Sequence, residues 1–121
     1  MIKLFLDDLR NPPSSDWIVF RDVNSLWNKV VDLAYPSNDI RNYYDDPIII
    51  SLDHDLGDDQ PDGCSFLDRL ELAIGGDSTF RELDITLLIH SMNPEGRREM
   101  ESAIKSIYRL LGKLEDDRQD V

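Results

Sequence analysis

Four aspartates lie directly after two short apolar segments of the chain. Asp7 and Asp8 follow the first segment, and Asp53 and Asp55 follow a later one. Carboxylate oxygens are the ligands that Mg²⁺ and Mn²⁺ prefer. Carboxylates held close together raise one another's pKa unless a cation or an arginine neutralises them. A turn or capping role explains any one of these aspartates, but four of them at two such positions favour a metal site.

The two histidines of the chain occupy comparable positions. His54 lies between Asp53 and Asp55, and His90 follows a third apolar segment. Histidine is the usual general acid or base near neutral pH. Two histidines across a phosphodiester could deprotonate a nucleophile and protonate a leaving oxygen. The alternative for each is a loop histidine hydrogen-bonded to backbone.

A third cluster combines polar and basic residues around a predicted helix start. Ser91 and Asn93 precede that helix, and Arg97 lies in its first turns. Helix N-termini present free N–H groups to anions, and Arg10 could approach from the first loop. Asn93 is also fully explained as a helix cap, and Arg97 as a solvated side chain. A phosphate site here is therefore one of two interpretations.

The apolar pattern predicts the elements that must position these clusters. Strands are expected at Ile2–Leu6, Trp17–Phe20, Ile48–Leu52 and Leu83–Ile89, and helices at 23–34, 62–74 and 93–114. Continuous apolar strands indicate that both sheet faces are covered. We therefore expect an α/β, three-layer, flavodoxin-like domain whose sheet has about four mostly parallel strands. Ligands of such sheets bind at the carboxyl ends of the strands, which would bring the three clusters to one rim.

The first connection departs from this pattern. Only residues 7–16 separate the first two predicted strands, and a helical crossover needs about 10–12 residues or more. The second strand is therefore either antiparallel or joined by an irregular loop.

Composition limits the classes of function. The 121 residues suit one domain, which we place at 1–114 with an acidic tail at 115–121. A net charge of −12 argues against an extended groove for duplex DNA. No apolar run reaches the length of about 20 residues that a membrane span needs. The single cysteine, Cys64, excludes an intrachain disulfide and a cysteine zinc cluster. The opening residues meet acids at once and do not read as a signal peptide, so we expect a cytoplasmic protein.

Several of these residues resemble the acidic pocket of two-component receiver domains, namely Leu4–Asp8, Asp53 and Pro61–Gly63. In receivers an acidic pair after the first strand binds Mg²⁺, and an aspartate after the third strand accepts a phosphoryl group. Ser91 would match the Ser or Thr after their fourth strand. The receivers' first helix and the lysine after their fifth strand have no counterpart here, which argues against phosphorelay signalling.

A longer resemblance is to the cyclic-phosphate processing receiver-like domains of bacteria and their phages. The similar strings are LFLDDLRNPP at Leu4–Pro13, SLDHDLG at Ser51–Gly57 and HSMNPEGRREM at His90–Met100, with Trp17 and Asp62-Gly63 between them. The resemblance implies action on a cyclic phosphate, in a cyclic nucleotide or at an RNA end. It implies these site residues: Asp7, Asp8, Asp53, His54, Asp55, His90 and Asn93.

The combined prediction is a receiver-like domain that lacks the first helix and fifth strand and has phosphodiesterase-type activity. Asp7, Asp8 and Asp53 would hold Mg²⁺ or Mn²⁺. His54, His90 and Asp55 would be catalytic, and Arg10, Ser91, Asn93 and Arg97 would bind substrate. Two alternatives stay open. One is a non-catalytic module that binds a cyclic nucleotide, a metal or a protein partner, and the other is an acidic inhibitor protein.

Overall fold

A four-stranded, all-parallel sheet carries the fold, in the order β2-β1-β3-β4. The computed structural model describes residues 1–36 and 46–113. Along the chain these form β1 (Ile2–Leu6), β2 (Ile18–Phe20), α1 (Val23–Ala34), β3 (Ile48–Leu52), α2 (Gly63–Gly76), α3 (Ser78–Arg81), β4 (Ile85–Ile89) and α4 (Pro94–Leu111). The predicted receiver-like α/β class is confirmed.

The strand register brings the ends of β1, β3 and β4 level with one another. Leu6 pairs with Leu52, which in turn pairs with Ile89. The ladder continues one residue further, because Asp53 N–H donates to the Leu6 carbonyl at 3.0 Å and His90 N–H donates to the Leu52 carbonyl at 3.0 Å. The chain segments that follow three strands therefore emerge side by side at one rim.

The second strand is parallel to β1, and an irregular loop joins them. Leu4 pairs with Ile18 in this register. The Arg21 guanidinium closes the loop by donating to the carbonyls of Asp7 at 3.1 Å and Arg10 at 2.7 Å. Of the two alternatives that the short spacing allowed, the irregular loop is the one that occurs.

The helices in residues 1–36 and 46–113 pack on one face of the sheet, with α2 in contact with both α1 and α4. Strand residues of one parity, such as Leu4, Ile50 and Ile85, are completely buried in the core with these helices. Residues of the other parity, such as Ile49 and Leu88, are only partly covered. Continuous apolar strands predicted helices on both faces. The short β1–β2 connection leaves no chain for a helix there, and the loop lies over this face instead, with Trp17 edge-on to Phe5 at 5.9 Å.

Polar side chains begin the three long helices. Asp22 accepts from Ser25 N–H at 2.8 Å, Asp62 from Ser65 N–H at 3.0 Å, and Asn93 from Gly96 N–H at 3.1 Å. These bonds satisfy N–H groups that have no partner within a helix. Pro94 follows Asn93 at the first helical position, where a missing N–H costs nothing. The predicted caps Asp62 and Asn93 are confirmed.

Several predicted boundaries are wrong, among them the end of α4, which lies at Leu111 and not at residue 114. Helix α2 includes both residues of the Gly75-Gly76 pair, and Asp77 then caps the short helix α3, which the sequence did not predict. Strand β4 begins at Ile85 because Leu83 N–H donates to the Phe80 carbonyl at 3.2 Å and closes α3. The predicted tail at 115–121 lies outside the described residues, as does most of the loop at 37–46. No helix in the described part of the chain is long and apolar enough to cross a bilayer.

Candidate functional site

An acidic pocket of about 290 Å³ opens at the carboxyl ends of the strands. Seven predicted site residues line it: Asp7, Asp8 and Arg10 after β1, Asp53 and Asp55 after β3, and Ser91 and Asn93 after β4. Carboxylate oxygens from Asp7, Asp8 and Asp53 lie within 4.8 Å of one another. This clustering follows from the level strand ends, since each acid is one or two residues past its strand.

Asp7 is buried and held in an ionised form. One carboxylate oxygen accepts from the N–H groups of Leu9 at 2.9 Å and Arg10 at 2.8 Å. Burial alone would raise the pKa of Asp7, but these N–H donors and His90 together outweigh it and lower the pKa. An ionised buried carboxylate is suited to binding a cation.

Asp53 lies beside Asp7, and its pKa is shifted in the opposite direction. Burial and the neighbouring Asp7 charge raise the pKa of Asp53 above its usual value. Arg10 is half exposed and lies across the pair, with its guanidinium 3.4 Å from Asp7 and 3.9 Å from Asp53. Three clustered carboxylates with one adjacent arginine fit a divalent cation, because oxygen donors and unbalanced negative charge are what Mg²⁺ and Mn²⁺ require.

His90 lies between the sheet and Asp7, and both of its ring nitrogens have protein partners. Nε2 is 3.1 Å from the Asp7 carboxylate, and Nδ1 is 2.7 Å from the Ser51 hydroxyl. The ring stacks on Phe5 with centroids 4.3 Å apart. Burial lowers the pKa of His90 despite the nearby Asp7, which favours a neutral ring. Because an ionised carboxylate only accepts, Nε2 carries the proton and Nδ1 accepts from Ser51.

His54 lies between the first turns of α2 and α4. Its Nδ1 is 2.9 Å from Asp55, and its Nε2 is 3.5 Å from Asp62. Burial lowers the pKa of His54, but the hydrogen bond to Asp55 and the negative charges of Asp62, Asp55 and Glu99 outweigh it and raise the pKa. The ring fits only because residue 96 is glycine, since a Cβ there would lie 2.5 Å from the ring carbon Cγ.

The structure does not bring the two imidazoles together. His90 contacts Phe5, Ser51 and Asp7, whereas His54 packs among Asp55, Asp62 and Gly96. The two rings have different hydrogen-bond partners, and neither ring lines the pocket. Each histidine instead contacts one aspartate that lines the pocket: His90 contacts Asp7, and His54 contacts Asp55.

Asn93 connects the β4–α4 turn to Asp55. Its side-chain amide donates to Asp55 at 3.2 Å, and its backbone N–H donates to the buried Ser91 hydroxyl at 3.1 Å. Asn93 is therefore both a helix cap and a pocket residue. Arg97 donates to the carbonyls of Ile89 and Ser91 at 3.3 and 3.2 Å. It braces the turn from outside the pocket lining.

Sequence reasoning missed several residues at this site. Leu9 and Met92 line the pocket although their side chains are 82% and 80% exposed. Two exposed apolar residues inside polar loops were the available signal for them. Ser51 also was missed as the partner of His90. It is the one hydroxyl residue in β3, and its parity puts it on the less covered face of the sheet.

The parallel sheet and its acidic rim define a receiver-like α/β domain. The family model described as the cyclic-phosphate processing receiver domain matches residues 2–106, and the chain belongs to this family. Comparisons with curated proteins and with solved structures found no match.

Proposed function

We propose that the chain binds a cyclic phosphate, in a cyclic nucleotide or at an RNA 2′,3′-cyclic end, in the rim pocket and hydrolyses it. The observation that carries the proposal is the convergence of Asp7, Asp8 and Asp53, with carboxylate oxygens within 4.8 Å of one another, beside Arg10. Membership of the cyclic-phosphate processing receiver family supports the class of substrate.

Asp7, Asp8 and Asp53 are the proposed ligands of Mg²⁺ or Mn²⁺. Such a cation neutralises the phosphate oxygens during displacement at phosphorus. The Arg10 guanidinium lies beside two of these carboxylates. Once a bound cation balances their charge, the guanidinium can bind the phosphate. Ser91 and Asn93 also line the pocket.

The apolar edge of the pocket favours a nucleotide over inorganic phosphate. Leu9 and Met92 are almost fully exposed at its mouth. A nucleobase would cover these side chains, and covering apolar surface contributes about 25 cal/mol per Å². A panel of substrates that differ in the base and in the ring size of the cyclic phosphate would determine which of them the pocket prefers.

Both histidines are proposed to act first as positioning residues. His90 keeps Asp7 oriented from the sheet side, and His54 holds Asp55, whose side chain is 67% exposed in the pocket. Asp55 is ionised, because hydrogen bonds from His54 and Asn93 lower its pKa, and it can orient a water molecule for attack. Direct proton transfer by His90 would require its ring to release Asp7 or Ser51.

The decisive experiment measures hydrolysis of 2′,3′-cyclic nucleotides with Mg²⁺ or Mn²⁺. Asp8→Asn removes one proposed ligand and should lower turnover by about 100-fold or more. Asp58→Asn removes an equal charge from an exposed residue outside the pocket lining, and it should match the parent. Equal turnover in the parent and in a folded Asp8→Asn variant would exclude the proposed site.

The role of His90 is tested by the pH dependence of the same reaction. If His90 only positions Asp7, His90→Asn should lower kcat while the shape of the pH profile stays that of the parent. Loss of one limb of the profile would instead assign proton transfer to the ring.

A binding module without turnover is the second candidate. The specific observation in its favour is that both nitrogens of His90 already have protein partners. Calorimetry with the same nucleotides and cations, followed by chromatography of the recovered ligand, separates the two functions. Saturable binding with unchanged ligand would support this candidate over hydrolysis.

A further inference from the structure

A second cluster of metal-ligating side chains lies between the start of α2 and the first two turns of α4. His54, Cys64 and Glu99 each offer one ligand atom, and these atoms lie within 4.8 Å of one another. None of the three lines the rim pocket. The donor set is nitrogen, sulfur and oxygen, which differs from the all-oxygen cluster at the rim.

The Cys64–Glu99 pair has a spacing close to that of two ligands in a tetrahedral site. Cys64 Sγ lies 3.7 Å from Glu99 Oε2, and His54 Nε2 lies 3.5 Å from Asp62 Oδ2. In a tetrahedral zinc site the Zn–S bond is about 2.3 Å and the Zn–N and Zn–O bonds are about 2.0–2.1 Å, so neighbouring ligand atoms are about 3.3–3.6 Å apart. Cys64 and Glu99 are therefore close to ligand spacing, and a ring nitrogen of His54 lies within 4.8 Å of both.

His54 presents a nitrogen without a hydrogen-bond partner to this cluster. Its Nε2 has less than 1 Å² of accessible surface and makes no hydrogen bond. Its other nitrogen, Nδ1, lies 2.9 Å from the Asp55 carboxylate. Ligating histidines almost always donate their second N–H to a carboxylate or carbonyl, which fixes the tautomer and the ring orientation. The His54–Asp55 pair already has this arrangement.

We propose that His54, Cys64 and Glu99 bind a borderline-soft divalent cation of the Zn²⁺ class, with Asp62 or water at the fourth position. Binding forms a bond from the metal to the Cys64 sulfur and releases the thiol proton to solvent. A sulfur ligand and a nitrogen ligand select against Mg²⁺, so this cation is not the one proposed for the rim. The site would tie the β3–α2 turn to α2 and α4, and through Asp55 it would fix one wall of the rim pocket.

Cobalt spectroscopy on the full chain tests the proposal without measuring activity. After treatment with a chelator, the first equivalent of Co²⁺ should give a thiolate-to-cobalt charge-transfer band with the strong visible bands of a tetrahedral centre. Zn²⁺ should abolish these bands, and excess Mg²⁺ should leave them unchanged. A weak spectrum typical of octahedral oxygen coordination would overturn the proposal.

Variants assign the ligands. Cys64→Ser should remove the charge-transfer band, and Glu99→Gln should weaken Co²⁺ and Zn²⁺ binding. Glu101→Gln changes an exposed acid on the same helix and should match the parent. Asp55→Asn removes the partner of Nδ1 and should weaken binding by about 10- to 100-fold. Equal Zn²⁺ affinity in the parent and in folded Cys64→Ser would contradict the assignment.

The Asp8→Asn variant distinguishes this site from the rim site. That variant should lose its response to Mg²⁺ and keep the thiolate-to-cobalt band. If Asp8→Asn abolishes Zn²⁺ binding while Cys64→Ser does not, zinc belongs to the rim cluster and the proposal is wrong.

Discussion

Backbone N–H groups determine how negative charge is distributed among the clustered acids. Asp7 and Asp53 are both buried, yet the pKa of Asp7 is lowered and that of Asp53 is raised. Asp7 accepts from two backbone N–H groups and faces His90, whereas Asp53 accepts from the single N–H of His54. A cation bound at this rim would therefore find Asp7 already ionised.

The thiol of Cys64 is expected to react slowly in the metal-free protein. Burial, followed by the charges of Asp62 and Glu99, raises its pKa from 9.0 to about 12. Only the thiolate is nucleophilic, and each pKa unit lowers its fraction about tenfold, so alkylation near pH 8 should be roughly 100- to 1000-fold slower than in the unfolded chain. Iodoacetamide labelling followed by mass spectrometry, with a chelator present, measures the rate.

Two substitutions on α4 test whether charge at residue 99 protects the thiol. Glu99→Gln removes one of the charges that raise the Cys64 pKa and should speed labelling, while Glu101→Gln should leave the rate unchanged. Equal rates in the folded parent and the unfolded chain would show that the thiol is not protected.

Residue types and strand ends were sufficient to predict the rim cluster, because parallel strands in register deliver their next residues to one place. The partners of each ring were not predictable. Whether a side chain just past a strand follows the strand's alternation depends on where the backbone bends. Here Asp53 and Asp55 face the pocket and His54 points to the helices. Sequence alone left that orientation open.

At the scale of elements, Gly63 and Gly96 let α2 and α4 approach the residues that follow β3. A Cβ on Gly63 would lie 2.3 Å from the Asp53 carbonyl oxygen and 2.9 Å from Met100 Cε. The helix start must therefore be displaced in Gly63→Ala. Overpacking of this kind costs about 1–3 kcal/mol, and denaturant titration should show the loss.

Gly75→Ala is the matched control in the same helix. A Cβ there meets Leu110 Cδ1 at 4.0 Å, an ordinary contact, and replacing a helical glycine by alanine stabilises by about 0.5–1 kcal/mol. Opposite signs for the two substitutions are expected. Stabilisation of equal size in both would mean that helix propensity, and not the close approach at Gly63, controls stability.

The β1–β2 connection is tied down by Lys3, which donates to Asp16 at 2.7 Å and lies 5.6 Å from the Trp17 ring. Lys3 and Ser14 lower the pKa of Asp16 from 3.8 to about 2. A lowered carboxyl pKa contributes stability above the unfolded value, and that stability disappears as the pH falls through the folded value. The contribution of this pair should therefore fade between pH 3.8 and about 2.

Substitution of Lys3 tests this connection directly. Lys3→Met should move the Asp16 titration upward towards 3.8, as measured by NMR of the side-chain carboxyl carbon. Lys105→Met, an exposed change on α4, should leave it unchanged. An Asp16 midpoint that stays about 2 in Lys3→Met would assign the shift to Ser14 instead.

At the scale of the whole molecule, a net charge of −12 opposes the compact state through self-repulsion. NaCl should raise Tm at neutral pH, because the Debye length falls to about 8 Å at physiological ionic strength. This response needs no specific site, and it is the background against which a bound cation must be detected.

Mg²⁺ at matched ionic strength should raise Tm further, because the rim carboxylates are brought together only in the folded chain. Saturation at 100 times Kd contributes about 2.7 kcal/mol, a shift of roughly 10 °C for a domain of this length. The additional shift should vanish in Asp8→Asn and persist in Asp58→Asn, as followed by calorimetry. Identical Tm values in MgCl₂ and NaCl would reduce the effect to screening, and the acidic rim would then be a consequence of overall charge and not a cation site.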